Sequence, residues 1–205
     1  MNGKPVTSMV HQRLYDDIIN GVVTVNDILT ESSLAERFSV SKAPVREALI
    51  SLCGDHLLQS IPRTGYKVVQ IMPEEAAQLS ELRLAIETFL LNKAFPALGL
   101  AQLDQLEALH ARNLAEEQVR TTVQDHWRRN MAFHQLLASF GGNELMAREL
   151  ERVLASCARA ATQYFLGRRK AADPEDLHGP LIHALRAGDR ERAQQLLQKD
   201  IAQVL

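Results

Sequence analysis

Cysteine is nearly missing from this 205-residue chain: Cys53 and Cys157 stand alone, without CxxC spacing, and both fall in apolar helical patterns. That argues against a disulfide framework and for reduced thiols in a cytoplasmic protein. No apolar run approaches the ~20 residues that span a bilayer, so no membrane partner is expected. The first residues also lack the charged-then-apolar pattern of an export signal. Excess positive charge is absent too. The 23 Lys and Arg against 25 Asp and Glu give a formal charge of −2, so a nucleic-acid site must come from local arrangement. There is no internal repeat, low-complexity segment, phosphate loop or nucleophile motif. What remains, 46% hydrophobic and 23% charged residues, is a globular composition with room for one large or two small domains.

The most informative stretch is Val40-Ser41-Lys42-Ala43-Pro44-Val45-Arg46-Glu47-Ala48-Leu49. Before it, residues 33–38 read as a short amphipathic helix, and Ser39-Val40 as a tight turn. Ser41 suits an N-cap, and Pro44 is tolerable only in a first helical turn, where its missing N–H has no partner anyway. Val45, Leu49 and Leu52 recur at helical spacing and predict the buried face. Lys42 and Arg46, one turn apart, then project together near the helix start. Two short helices around a tight turn, the second beginning with basic residues, follow helix-turn-helix logic.

Around this core, residues 10–20 predict a helix with Leu14, Ile18 and Ile19 on one face and Gly21 as its C-cap. Residues 22–29 read as short and extended. Residues 57–61 and 66–69, flanking Pro62-Arg63-Thr64-Gly65, predict a β-hairpin. Arg63 and Thr64 are candidates at its tip, with Gly65 allowing close approach of backbone. Met72-Pro73-Glu74-Glu75 marks a boundary, and nothing after it reads as strand. Helices are predicted over 73–95, 101–119, 122–140, 143–166, 174–187 and 189–204. Breaks fall at Pro96/Gly99, Arg120-Thr121, Gly141-Gly142, 167–173 and Gly188. The expectation is a mainly α chain: a winged helix-turn-helix with a small β-hairpin wing over 1–72, then an all-α antiparallel helical bundle over 73–205.

The second half holds a chemically suggestive set. Asn130 and His134 are four apart on one helical face, His178 opens the penultimate helix and Asp200 lies on the last. Imidazoles with carboxylate or amide oxygens on facing helices can hold a divalent transition metal such as zinc, nickel, manganese or iron. A satisfied histidine beside Phe133 and Leu137 is the plainer alternative. Gly179-Pro180 threatens the geometry of His178 unless the helix begins near 176–177, which would put Pro180 in its first turn. His183, five residues from His178, points to another side. Arg83 can pair with a carboxylate ligand or with Glu87, four residues on. Arg128, Arg129, Arg152, Arg159, Arg168 and Arg169 read as solvated helix faces, with Arg159 able to face the cavity.

The decapeptide, with Leu34-Ala35 before it, closely resembles the recognition element of GntR-type bacterial transcription regulators over about residues 10–69. Two departures stand out: Val25-Asn26 where Pro-Gly is usual, a turn that Asn can preserve by adopting positive φ, and Lys42 in place of the usual Arg. From Pro73 onward the chain resembles the FCD ligand-binding domain of FadR-type members. The resemblance is carried by Glu81-Leu82-Arg83, Ile86-Glu87, Asn130 to His134, Gly142-Asn143, Leu177-His178 and 185–189. It implies metal ligation at Asn130, His134, His178 and, in place of a third histidine, Asp200. It also implies a small organic acid effector, for which Arg83 is a partner.

The resemblance implies a homodimeric regulator, expected to repress, on a pseudo-palindromic double-stranded DNA operator. Lys42 and Arg46 would read base edges, Ser32, Ser41 and Thr64 would contact phosphate, and Ala43, Pro44, Arg63 and Gly65 would lie in the interface. The rival readings are a metal-dependent hydrolase or lyase in the bundle, and a ligand-free dimerisation module.

Overall fold

The structure, a computed structural model, describes residues 6–117, 123–165 and 175–203. The predicted breaks at Arg120-Thr121 and 167–173, Pro174, and Arg168 and Arg169 lie outside them. The chain forms two compact units, Met1–Ile71 and Met72–Leu205.

In the first unit, helix α1 (Val6–Ile19) turns Val10, Leu14 and Ile18 inward. It packs on α3 (Lys42–Gly54), whose Val45, Ala48, Leu49 and Leu52 are all fully buried. Gly21 adopts φ 66 after α1, as a C-cap requires. Residues 22–29 do not form the expected extended run. Asp27 accepts hydrogen bonds from the Thr24 backbone N–H and hydroxyl, both at 2.7 Å, and folds the segment into a turn. These two bonds hold the Asp27 carboxyl below its ordinary range. Asn26 is not among the residues with positive φ, so the turn closes through Asp27 instead. Strand character survives only at Leu29, which forms a bridge to Tyr66 with two 2.8 Å bonds.

Helix α2 (Glu31–Phe38) starts two residues earlier than the sequence pattern indicates. Thr30 supplies the N-cap, and its hydroxyl accepts from the Ser33 N–H at 3.1 Å while Ser33 returns a bond to the Thr30 N–H. Ser39 closes α2 in the left-handed region at φ 53. Strands β1 (Leu58–Ile61) and β2 (Gly65–Val68) pair antiparallel, with Leu58 opposite Val68 and Ile61 opposite Gly65. Arg63 takes φ 64 at the tip. Gly65 carries a structural constraint: at φ +142, a Cβ there would sit 2.3 Å from the Leu29 carbonyl oxygen.

The second unit is all-helical among the described residues: α4 (Pro73–Ala94), a 3₁₀ turn (Phe95–Ala97), α5 (Leu100–Glu117), α6 (Val123–Ser139), α7 (Glu144–Phe165), α8 (His178–Arg186) and α9 (Arg190–Ala202). Pro73 occupies the first turn of α4, with Glu74 and Glu75 beside it facing the helix dipole. Leu91, Leu106, Phe133, Leu181 and Leu197 join in one apolar core. Helix α8 begins at His178, not in the region of 174. Residues 175–177 are not helical, so Pro180 stands in the first turn where its ring and missing donor cost little. None of the described helices is long and apolar enough to cross a membrane.

Gly65→Ala forces a Cβ against the Leu29 carbonyl in a backbone region that alanine avoids. The expected loss is about 1–3 kcal/mol in urea unfolding of the full chain, with α-helical circular dichroism retained below the transition.

Candidate functional site

On the first unit, the start of α3 presents a continuous exposed surface. Ser41, Lys42, Ala43 and Arg46 are exposed, as is Ser32 on α2, and Pro44 is half-buried in the first turn. Ser41 holds the N-cap position of α3, but its side chain makes no capping bond there. Arg46 is not a free cation. Its Nε and Nη2 donate to Glu31 Oε1 and Oε2, each at 2.7 Å, a bidentate fork between the first turn of α2 and the second turn of α3. The pairing raises the arginine and lowers the glutamate pKa. Glu31 escapes sequence reasoning because no helical period links residues 15 apart; only the tight turn at Ser39 brings them together. Arg63 and Thr64 are exposed at the hairpin tip.

On the second unit, four helices converge on His134, which is completely buried. Its Nδ1 meets Glu87 Oε2 of α4 at 2.5 Å, and its Nε2 lies 2.9 Å from Asp200 Oδ2 of α9. His178 Nε2, at the start of α8, is 3.4 Å from His134 Nε2 and 3.7 Å from Asp200 Oδ2. The His178 ring stacks on Phe133, centroids 3.9 Å apart at 15°. Stacking and the helix start together fix the imidazole that the Gly179-Pro180 pair placed in doubt. Asn130, one turn before His134, is buried with Oδ1 accepting no hydrogen bond, and Asp200 Oδ2 likewise receives no bond of regular geometry.

Arg83 is also buried, and its Nε donates to Glu87 Oε1 at 2.6 Å. Of the two sequence alternatives for Arg83, the pair with Glu87 forms. Its Nη2 stays without a hydrogen bond, 4.0 Å from Asp200 Oδ2. Arg129, expected as solvated, is buried, and Arg159, read as either solvated or inward-facing, is buried too, while Arg128 and Arg152 are exposed and paired with Asp125 and Glu149. Both buried positions fall on the inward faces of α6 and α7. His183 is exposed.

The electrostatics follow from burial opposed by neighbours. For Glu87, burial alone would raise the pKa, but His134 and Arg83 beside it bring it below the ordinary value. For His134, burial would lower it, and Glu87 with Asp200 more than reverses that. Burial keeps the His178 pKa low. Asp200 is held below the carboxylate range by His134 and His178 in spite of its burial. A cleft of about 70 Å³ opens on this cluster and is lined by His110, Asn113, Arg129, Asn130, His178 and Asp200, among others.

The donor set suits a divalent transition metal. His134, His178 and Asp200 each offer one ligand atom within 4.8 Å of the others, Asn130 Oδ1 accepts no hydrogen bond, and Asp200 Oδ2 receives none of regular geometry. Glu87, on the Nδ1 side of His134, holds the ring with Nε2 toward His178 and Asp200, the orientation that a metal ligand there would need. The sequence reading treated Glu87 only as a partner for Arg83. Its place four residues after Arg83, on a helix facing His134, was the available signal.

Residues 6–68 match the family "Bacterial regulatory proteins, gntR family", and residues 78–203 match the "FCD domain". The chain belongs to the gntR family and carries an FCD domain. The family is one of DNA-binding transcription regulators and not of enzymes, and the FCD domain is its ligand-binding regulatory part. Among relatives, the HTH-type transcriptional repressor RspR of Escherichia coli (strain K12) is 28% identical over 205 residues, covering 98% of this chain and 88% of its own. The structure of a putative GntR regulator from Rhodococcus sp. RHA1 superposes with a TM-score of 0.77 at 25% identity, covering 97% of this chain and 96% of that one. E. coli McbR/YncC shares the fold, with a TM-score of 0.82 at 20% identity and coverage of 98% and 95%.

In this FCD domain Glu87 neutralises Arg83 and orients His134 at once. Glu87→Gln therefore strands a buried guanidinium, and the expected cost is about 3–5 kcal/mol in denaturant unfolding. Glu81→Gln, an exposed change on the same helix, stays within about 0.5 kcal/mol.

Proposed function

We propose that this gntR-family protein is a cytoplasmic, effector-controlled repressor. In this reading residues 1–72 bind double-stranded DNA, and residues 73–205 bind a small organic acid and dimerise. The observation that carries it is the pairing, in one chain, of an exposed α3 start with a buried His134–His178–Asp200 cluster open to a cleft. RspR, a relative aligned over 98% of this chain, is named a transcriptional repressor, which supports the sign of regulation.

In the DNA-bound form Lys42 and Arg46 read base edges from the major groove, Ser32, Ser41 and Thr64 contact phosphate, and Arg63 reaches the duplex from the hairpin tip. Ala43 and Pro44 form the close-packed first turn between these side chains, and Gly65 sets the angle of the tip. The Arg46–Glu31 fork supports this role: it pre-orients the guanidinium plane without burying it. Lys42 offers a point charge where a guanidinium would offer a fork, so base preference at that position is relaxed. Two heads on two half-sites supply the specificity that so few base-reaching side chains cannot. Leu82 and Phe89, about half exposed at 49% and 50% and seven residues apart on α4, support a second copy covering that helix.

Asn130, His134, His178 and Asp200 would hold a divalent metal: zinc, nickel, manganese or iron. When bound, the ion would supply a Lewis-acid centre for a carboxylate oxygen. The protein's own contribution is to fix His134 through Glu87, to exclude bulk water by burial, and to hold Arg83 Nη2 behind Asp200 as a second positive group for the acid. Effector binding favours one arrangement of the dimer and so alters operator affinity, a shift of populations set by differential binding.

Arg46→Ala is expected to weaken operator binding by about 1–3 kcal/mol in fluorescence anisotropy, with helicity and dimer mass unchanged. Unaltered affinity of a folded dimer would remove Arg46 from the interface. Elemental analysis of dialysed protein is expected to find a near-stoichiometric transition metal that His134→Ala loses; metal-free wild-type protein would leave the DNA-binding reading intact and reject the ion.

A further inference from the structure

We propose a second divalent-metal position on the solvent side of this cluster, formed by His110 of α5, Asp176 before α8, and His178. It shares His178 with the metal reading above but stands on residues that reading does not use. His110 Nε2 lies 3.3 Å from Asp176 Oδ2, and one donor atom from each of the three residues falls within 4.8 Å of the others. Asp176 Oδ1 accepts the backbone N–H of His178 at 3.1 Å, which fixes the carboxylate and leaves Oδ2 for a ligand. The side chains of His110 and Asp176 are 14% and 45% exposed, so an ion reaches them from solvent, and His110, Asp176 and His178 all line the cleft. Two imidazoles and one carboxylate with open positions select first-row transition ions over calcium or magnesium.

Gly179 separates this trio from an ordinary ion pair. A Cβ at 179 would stand 3.2 Å from His110 Nε2 and 3.4 Å from Asp176 Oδ2, so glycine keeps clear the space between the two donors. Its backbone does not require glycine, since it is not among the residues with positive φ. The following proline does not require it either. Helix α3 begins Lys42-Ala43-Pro44 in the same register as His178-Gly179-Pro180 in α8, and there alanine precedes the proline. Glycine within a helix is destabilising relative to alanine. The chain thus keeps a weaker helix former at a place where a methyl group would press on His110 Nε2 and touch Asp176 Oδ2.

The test uses full-length, metal-stripped protein titrated with cobalt(II), read by its ligand-field absorption and by equilibrium dialysis. His134→Gln, which disables the inner cluster, is expected to retain about one equivalent of cobalt, and adding Gly179→Ala or His110→Ala is expected to abolish it. Where His134→Gln does not fold, Gly179→Ala alone serves. It is expected to weaken cobalt binding roughly tenfold or more while the melting temperature of the metal-free protein holds or rises. The proposal is overturned if folded His134→Gln binds no cobalt, which leaves the inner site alone. It is equally overturned if cobalt binding is unchanged by Gly179→Ala and His110→Ala. Retention of all wild-type cobalt by His134→Gln, with loss in His110→Ala, would reject the inner site and keep this one.

Discussion

The bundle depends on the contact between Glu87 and His134. A buried carboxylate is costly unless its charge is met, and here it is met twice, by the Arg83 guanidinium at 2.6 Å and by the His134 imidazole. That contact sets the ring so that Nε2 faces Asp200 and His178. It ties α4 to α6, and through Asp200 and His178 to α9 and α8. The apolar residues around it, Phe133 and Leu197 among them, exclude water, and every charge in the chain Arg83–Glu87–His134–Asp200 is worth more for that exclusion. Phe133 acts on both sides of this balance. It belongs to the core, and its face carries the His178 ring.

The DNA-binding unit solves a different problem with polar groups at its surface. Helix α2 is only eight residues long and has little intrinsic stability. Its ends are therefore secured, by the Thr30–Ser33 capping box at the start and by left-handed Ser39 at the finish. With the turn fixed, α3 meets α2 at a spacing where Glu31 spans the guanidinium of Arg46. The same carboxylate that orients Arg46 also competes with any anionic partner for it. A base edge or a phosphate can engage the N–H groups that the fork leaves, on Nη1 and the outer side of Nη2.

Most of the architecture is legible in the sequence because its signals are local. Pro73, Gly141-Gly142 and Gly188 punctuate helices whose apolar period is regular, and Pro62 to Gly65 mark the hairpin. One reading fails where a side chain outweighs a pattern: the β-branched run at 22–29 predicts extension, but Asp27 reaches back to Thr24 and closes a turn. Of the two placements left open for Pro180, a kink inside α8 or a seat in its first turn, the second forms because the helix starts at His178. In the candidate site, helical spacing pairs Asn130 with His134 and the family resemblance adds His178 and Asp200, while Glu87 is legible only as a partner for Arg83 and Glu31 not at all. Their partners lie 47 and 15 residues away, and only tertiary packing sets those distances. Arg129 defeats the reading for the related reason that charge in a sequence suggests solvent, whereas a bundle core can take an arginine that is paired.

Asp200 carries the chain's main departure from the three-histidine pattern that its resemblance implies, and charge counting shows what it alters. Arg83 and Glu87 cancel, so with neutral imidazoles the cluster keeps the single formal negative charge of Asp200. A divalent ion turns that into one net positive charge, where a third histidine would leave two. With the aspartate, the proposed site would hold a cation more firmly and pull less on an anionic effector. An effector at such a site has to gain more from shape and from directed hydrogen bonds than from net charge. The cleft is small, about 70 Å³, and polar residues such as Asn113, Asn130 and Arg129 line it. Selectivity for a small-molecule effector in this cleft would then rest on how closely the ligand fits between those polar groups.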